Sequence, residues 1–172
     1  MSLKLTAVVE SSTLVSETVF PKLQDEIKKI NMSTPNEIVQ TEMYENDAFS
    51  KWLGIELINI SRGYAKIKMT VREEMTNGFK IAHGGITYSL ADSAFAFACN
   101  NRNNLSVALD TSINFVKAVH IGDTLIAEAI EMHNGKSTGI YHITITNQNQ
   151  QTVALFKGTC FRTGKLVMNE GI

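Results

Sequence analysis

The sequence predicts an α+β fold in which a strongly curved antiparallel sheet of about five to six strands wraps one long apolar helix. Three observations carry this expectation. The run from His83 to Asn100, HGGITYSLADSAFAFACN, is helical in length and apolar on nearly every face, so it needs cover on most of its surface. From Ile55 the pattern outside that run alternates with a period of two, and turn residues separate the alternating stretches. The connections marked by Asn134-Gly135 and by Asn147-Gln148-Asn149 are short enough for antiparallel pairing.

Along the chain, residues 1–36 stand apart as an N-terminal extension. Ser16 suits the N-cap of a helix from Glu17 to Ile30, Pro21 is tolerable in its first turns, and Met32-Ser33-Thr34-Pro35-Asn36 reads as a polar linker. Met32 also reads as an internal start, so residues 1–31 serve equally as a dispensable leader or a docking helix. Residues 37–172 read as a single domain. It opens with a helical segment, 37–53, which places Met43, Tyr44, Ala48, Trp52 and Leu53 at helical spacing and stops at Gly54. IELINI (Ile55–Ile60) and GYAKIKMTV (Gly63–Val71) are strands of a hairpin that turns at Ser61-Arg62-Gly63.

A loop around Asn77-Gly78 leads into the apolar helix, and four strands follow at 106–116, 123–133, 138–147 and 152–161. On the first of these, Val107, Leu109, Thr111, Ile113 and Phe115 form one face and Asp110 falls out of phase, as a solvent or interface carboxylate. A single sheet around one helix leaves an edge strand and a helix flank bare. A homodimer or larger assembly is therefore expected.

The 172 residues, 44% of them hydrophobic and 19% charged, suit one domain with a sizeable core. The net charge is −1 and there is no Lys/Arg-rich run, which argues against nucleic acid or an anionic membrane as partner. No apolar run spans a bilayer and the first thirty positions carry no signal-peptide pattern, so a cytoplasmic location is expected. Cys99 and Cys160 read as buried free thiols. His120, His133 and His142 share no ligand spacing, so no metal site is expected.

Asp92 is the only charged side chain of the apolar helix after its opening His-Gly-Gly. A buried carboxylate is either hydrogen-bonded and structural or held in a cleft for chemistry. The segments MYENDAFSKWLGI (Met43–Ile55), NGFKIAHGGITYSLADSAFAFACN (Asn77–Asn100), GDTLIAEA (Gly122–Ala129) and GKSTGIYHITITNQNQQTVALFKG (Gly135–Gly158) resemble the PaaI family of hotdog acyl-CoA thioesterases. The resemblance covers roughly residues 38–165, and Asn, HGG and LAD at these spacings are its specific part. It implies a hotdog fold and hydrolysis of phenylacetyl-CoA or ring-hydroxylated phenylacetyl-CoA, by a dimer of dimers. No cofactor is implied, because coenzyme A belongs to the substrate.

Thioester hydrolysis needs a donor for the developing oxyanion and a carboxylate that activates water or attacks the carbonyl itself. Gly84 and Gly85 stand at a helix N-terminus, where free N–H groups and the dipole favour negative charge. The resemblance singles out the Gly84 amide as the oxyanion hole and implies that Asp92 is general base or nucleophile. By the same resemblance Asn77 orients thioester or water and His83 supports the site by hydrogen bonding. Gly84 and Asp92 are eight residues apart, about 12 Å along one helix, so they cannot touch one carbonyl. If both act on one thioester, the second must come from a neighbouring subunit across a two-fold axis.

Gly85, Phe79, Lys117, Lys136 and Thr138 are the candidates for substrate and CoA contact, the lysines because CoA phosphates need a few cations. Phe49, Trp52, Phe79, Phe95 and Phe97 could line an aryl pocket, with one or two touching substrate and the others plain core. In the wider superfamily a strand hydroxyl assists the carboxylate. Here Ala108 aligns with it, and Ser106 or Ser112 substitutes only on another register. Two alternatives stay open: a non-catalytic acyl-CoA-binding hotdog protein, and an acyl-thioester hydratase or dehydratase. Against the latter, the only prolines, Pro21 and Pro35, lie outside the motif.

Overall fold

The central helix, Gly84–Asn100, touches all six strands of one sheet, which the sheet can allow only by curving around it. The computed structural model describes residues 34–168. Its strands are β1 (Glu56–Ser61), β2 (Tyr64–Thr70), β3 (Ser106–Phe115), β4 (Thr124–Asn134), β5 (Thr138–Thr146) and β6 (Thr152–Arg162). They lie in the order β1-β2-β4-β5-β6-β3, and every neighbouring pair is antiparallel. This is the hotdog arrangement that the sequence predicts. Among the described residues no helix is long and apolar enough to cross a membrane.

Alternation seats the helix. Ala65, Ile67 and Met69 of β2, Leu125, Ala127 and Ala129 of β4, and Tyr141, Ile143 and Ile145 of β5 are buried, facing Leu90, Ala91, Ala94 and Phe95 across the core. Phe95 meets Tyr141 edge to face at 5.6 Å between ring centroids, and Tyr88 meets Phe156 likewise at 5.4 Å. Gly158 of β6 makes the close approach of Phe95 possible, since a Cβ there would stand 2.8 Å from the ring. Two adjacent asparagines fix the far end of the helix. Asn101 accepts from Gly63 N and donates to Ser61 O and Tyr64 O, tying the helix to the β1–β2 turn; Asn100 exchanges hydrogen bonds with Ser106 and so sets where β3 begins.

In two places the chain departs from the pattern read along it. Thr34, taken as linker, caps a helical run: its hydroxyl accepts from Glu37 N while the Glu37 carboxylate accepts from Thr34 N, with Pro35 in the first turn. The expected single segment 37–53 is two pieces. Turns of changing pitch cover Pro35–Glu37, Ile38–Met43 and Tyr44–Asn46, and Asp47, in an extended conformation, restarts the helix as Ala48–Leu53 by accepting from Phe49 N and Ser50 N. Gly54 ends it at φ +73°, in the left-handed region where glycine is favoured. The helix expected from Glu17 to Ile30, with its Ser16 cap, lies outside the described residues.

The second departure is in β3. A bulge between Ala108 and Asp110 shifts its register against β6, so that Thr111 and Ile113 turn inward while Val107 and Leu109 stand exposed. The apolar alternation expected over Val107–Phe115 is therefore broken at the bulge. As the edge strand, β3 presents Val107, Leu109 and Phe115 to its surroundings.

Gly158→Val should force the Phe95 ring away from β6 and lower the urea midpoint, by about 1–3 kcal/mol of stability. An unchanged midpoint would show that the helix is free to shift against the sheet.

Candidate active site

Asp92 is a half-buried carboxylate with no hydrogen-bond partner among the described residues. Its charge is uncompensated. It faces a cavity of about 350 Å³ between the central helix and the helical run that precedes β1. Burial pushes its pKa above the ordinary carboxylate value. Met43, Phe49, Ala96 and Phe97 supply the apolar wall of this cavity, and Asp47, Ser89 and Ser93 stand in it with Asp92.

Gly84 opens on a second cavity, of about 290 Å³, which it shares with Asn77, Thr87, Phe115, Lys117 and Val119. His83 explains why only one of the two glycine amides is available. Its Nδ1 accepts from Gly85 N at 2.9 Å, capping the helix, so the Gly85 N–H is taken; the Gly84 N–H has no partner among the described residues. That unpaired donor at the helix N-terminus is suited to a developing oxyanion. A Cβ at Gly84 would stand 3.2 Å from the Phe115 ring, so the residue also serves the packing of β3.

The Oδ1 of Asn77 accepts from Phe79 N at 2.8 Å and makes the turn, while its Nδ2 has no hydrogen-bond partner among the described residues and the residue lines the Gly84 cavity. Lys117 comes to the same cavity, its Nζ donating to Gln151 Oε1 at 2.6 Å. Phe79 is 86% exposed on the loop and lines neither cavity. Lys136 and Thr138 lie at the β4–β5 hairpin, beside the Ser106 end of β3, roughly 30 Å of strand from the Phe115 end. Of the aromatic candidates, Phe49 and Phe97 face Asp92; Phe95 is core, and Trp52 stacks on Phe49 with Arg72 over its ring.

No residue lines both cavities. Sequence reasoning missed Asp47, Ser89 and Ser93, although Ser89 and Ser93 flank Asp92 on its own helix and a helical wheel centred on Asp92 would have found Ser89, along with Tyr88 and Ala96. Of the β3 hydroxyls, that of Thr111 is hydrogen-bonded to Tyr88 of the central helix, while Ala108 stands at the bulge. Ser106 instead donates to Asn104 O at the far end of the helix.

An unpaired donor and an unpaired carboxylate on one helix, in a hotdog fold, define the class as a thioester hydrolase. The comparisons agree: residues 79–154 match the Thioesterase superfamily. The chain is 48% identical over 128 residues to Escherichia coli acyl-coenzyme A thioesterase PaaI, covering 74% of this chain and 91% of that one. The solved structure of the E. coli PaaI protein from the phenylacetic acid degradation operon superposes with a TM-score of 0.74 at 46% identity, over 78% of this chain and 99% of that one. A Streptococcus mutans protein solved bound to acetyl-CoA superposes with a TM-score of 0.67 at 29% identity, over 72% and 97%. The chain belongs to the thioesterase superfamily.

The raised pKa of Asp92 fixes a sign for stability. Between its unfolded and folded values the native chain holds more protons than the unfolded one, so stability falls as pH rises through that window and stays lower above it. Asp92→Asn should thus be more stable than wild type near about pH 7 and match it near about pH 3, where both side chains are neutral. Urea midpoints at the two pH values check this; a variant weaker than wild type at the higher pH would mean that the carboxylate has a favourable partner.

Proposed function

We propose that the chain hydrolyses acyl-CoA thioesters of the arylacetyl class, phenylacetyl-CoA or its ring-hydroxylated forms, to the free acid and CoA. The observation that carries the proposal is the free Gly84 N–H and the unpaired Asp92 on one helix, opening on separate cavities. The names of the E. coli relative and of its operon support the substrate class.

In the proposed reaction the thioester carbonyl oxygen sits on the Gly84 N–H, where the helix dipole adds to the hydrogen bond as charge develops. Asp92 either removes a proton from water as it attacks the carbonyl carbon or attacks that carbon itself, forming an anhydride that water then opens. In both routes the C–S bond breaks and the thiolate of CoA leaves with the electron pair and takes up a proton; on the base route water supplies the product's new oxygen, whereas on the nucleophilic route Asp92 supplies it and water, opening the anhydride at the Asp92 carbonyl, restores the carboxylate. Asn77 Nδ2, free of the turn that holds its Oδ1, donates to the carbonyl or to the water. Lys117 at the mouth of the Gly84 cavity offers a cation to the CoA phosphates.

Since Gly84 and Asp92 of one chain are about 12 Å apart along the helix, each site takes Gly84 from one copy and Asp92 from a second. The exposed edge of β3, with Val107, Leu109 and Phe115 bare, favours antiparallel pairing with the second copy's β3. Such pairing would also carry the second copy's Lys136 and Thr138 toward the Gly84 end, which is how residues at opposite ends of one sheet would serve one substrate.

Thiol release from phenylacetyl-CoA should fall by about 10²–10⁴-fold in Asp92→Ala. Full activity in that variant would sink the mechanism. The shared site has its own test, in which Asp92→Ala and Asn77→Ala chains are unfolded together and refolded. Half of the random dimers are mixed and each holds one intact site of two, so activity should return to about a quarter of wild type; no recovery would place both residues in one chain's site. Single-turnover hydrolysis in ¹⁸O-water separates the two routes, because label enters the Asp92 carboxylate only if Asp92 is the nucleophile.

A further inference from the structure

At the end of the central helix away from Gly84, its last turn meets β6 through two thiols and a cation. Cys99 of the helix and Cys160 of β6 are the chain's two cysteines; both are buried and free, and their sulfurs are in hydrogen-bonding contact. Arg162, two residues along β6 and therefore on the same face, is buried beside them. Its guanidinium donates to Gly135 O at 3.1 Å, to Ser106 Oγ at 3.3 Å, to Cys99 O at 3.4 Å and to Asn134 Oδ1. All four acceptors are neutral, and among the described residues no carboxylate pairs with Arg162. A buried cation held by neutral acceptors alone is costly, and the anion at hand to offset it is a thiolate at Cys160. Gly139 of β5 leaves the space in which the two meet, since a Cβ there would stand 3.0 Å from Arg162 Nη2 and 3.1 Å from Cys160 Sγ.

The two thiols are not equivalent. The Cys99 S–H has two acceptors in reach, Ala96 O at 3.5 Å and the Cys160 sulfur, and a charged sulfur is the stronger. That hydrogen bond, with the Arg162 charge beside it, lowers the Cys160 pKa to about 6; the same bond, together with burial, pushes the Cys99 thiol up. Cys160 is the nucleophile of the pair and Cys99 the thiol that resolves it. The proposed hydrolysis uses neither. We propose that Cys99 and Cys160 form an oxidation site, which a small hydroperoxide closes into a disulfide between the central helix and β6. The Cys160 thiolate attacks one peroxide oxygen, the O–O bond breaks, and hydroxide leaves and takes up a proton. The Cys99 sulfur then attacks the Cys160 sulfenic acid as it gives up its proton, and the S–O bond breaks with loss of water. Two thiols are oxidised to one disulfide while one hydrogen peroxide is reduced to two waters. Arg162 reaches from the thiols to Asn134, an exposed residue at the end of β4, so the polar side of the cluster meets the surface there, on a path suited to an oxidant of water's size.

The test uses the full-length protein, treated with hydrogen peroxide near about pH 7 and then denatured in N-ethylmaleimide, with intact mass as the readout. Peroxide should remove both thiols together, leaving a chain that has lost two hydrogens and takes up no maleimide, and dithiothreitol should restore both. Since the thiolate is the reactive species, the folded chain should react faster than the unfolded one. In urea, where both thiols return to the ordinary range near about 8.5, loss of thiol should slow by about tenfold or more. In Cys99→Ser the reaction should stop at a Cys160 sulfenic acid that dimedone traps, and in Cys160→Ser the remaining thiol should stay reduced. Thiols that survive peroxide in the folded chain and are lost only in urea would overturn the proposal. So would disulfides between chains, or equal reaction of the two single-cysteine variants. The wild-type comparison with and without urea decides the matter even if neither variant folds.

Discussion

The central helix has to be covered on nearly every side, and the cost of leaving it bare shapes the molecule. Six strands curve to reach it, Gly158 gives up a side chain so that Phe95 can lie against β6, and Asn100 and Asn101 spend their amides anchoring its far end to β3 and to the β1–β2 turn. At either end of the sheet the cover runs out. Where it does, the helix shows the two polar features that hydrophobic burial would otherwise have removed: the free amide of Gly84 and the carboxylate of Asp92.

The chemistry of the two cavities is opposite in kind. Around Gly84 the groups free to bond are donors, namely the Gly84 N–H, Asn77 Nδ2 and the Lys117 ammonium; around Asp92 they are acceptors. A thioester of CoA presents acceptors in its carbonyl and phosphates, which suit the first cavity, while water presents donors, which suit the second. The capping choice of His83 sustains this division. By accepting from Gly85 it leaves the Gly84 N–H, of the two glycine amides, without a partner among the described residues.

Much of this was legible in the sequence, because the signals were local. The helix His83–Asn100, the β1–β2 hairpin and the strands after the helix follow from period and turn residues, and the spacing that sets Gly84 about 12 Å from Asp92 was read from the helix alone. What was not legible depends on partners far along the chain. Sequential connections do not disclose that β3 lies beside β6 at the edge while β4 returns to β2. A bulge costs one residue of register and leaves no compositional mark, so the exposure of Val107 and Leu109 beside an inward Thr111 goes unseen. Asp47 looked like one more polar residue in a helical run, yet its carboxylate both restarts that run and, through Ser50, orients Ser93 forty-odd residues away. The Thr34 capping box was local and readable; a Ser/Thr-x-x-Glu string was taken for linker on composition alone.

The proposed two-fold arrangement can be located more closely than the edge strand alone allows. When a dyad relates two antiparallel helices, the residues that face each other are equidistant from the axis along the sequence. Gly84 faces the second copy's Asp92 only if the axis passes the midpoint between them, which is Tyr88. The Tyr88 hydroxyl is bonded to Thr111 of β3, so the point of β3 nearest the axis is fixed as well, close to Thr111. Antiparallel pairing of two β3 edges about that point sets each Phe115 end beside the other's Val107 end and covers the exposed Val107, Leu109 and Phe115 together. In the proposed dimer, helix and edge strand thus call for the same axis, and the Tyr88–Thr111 hydrogen bond is the contact that joins the two.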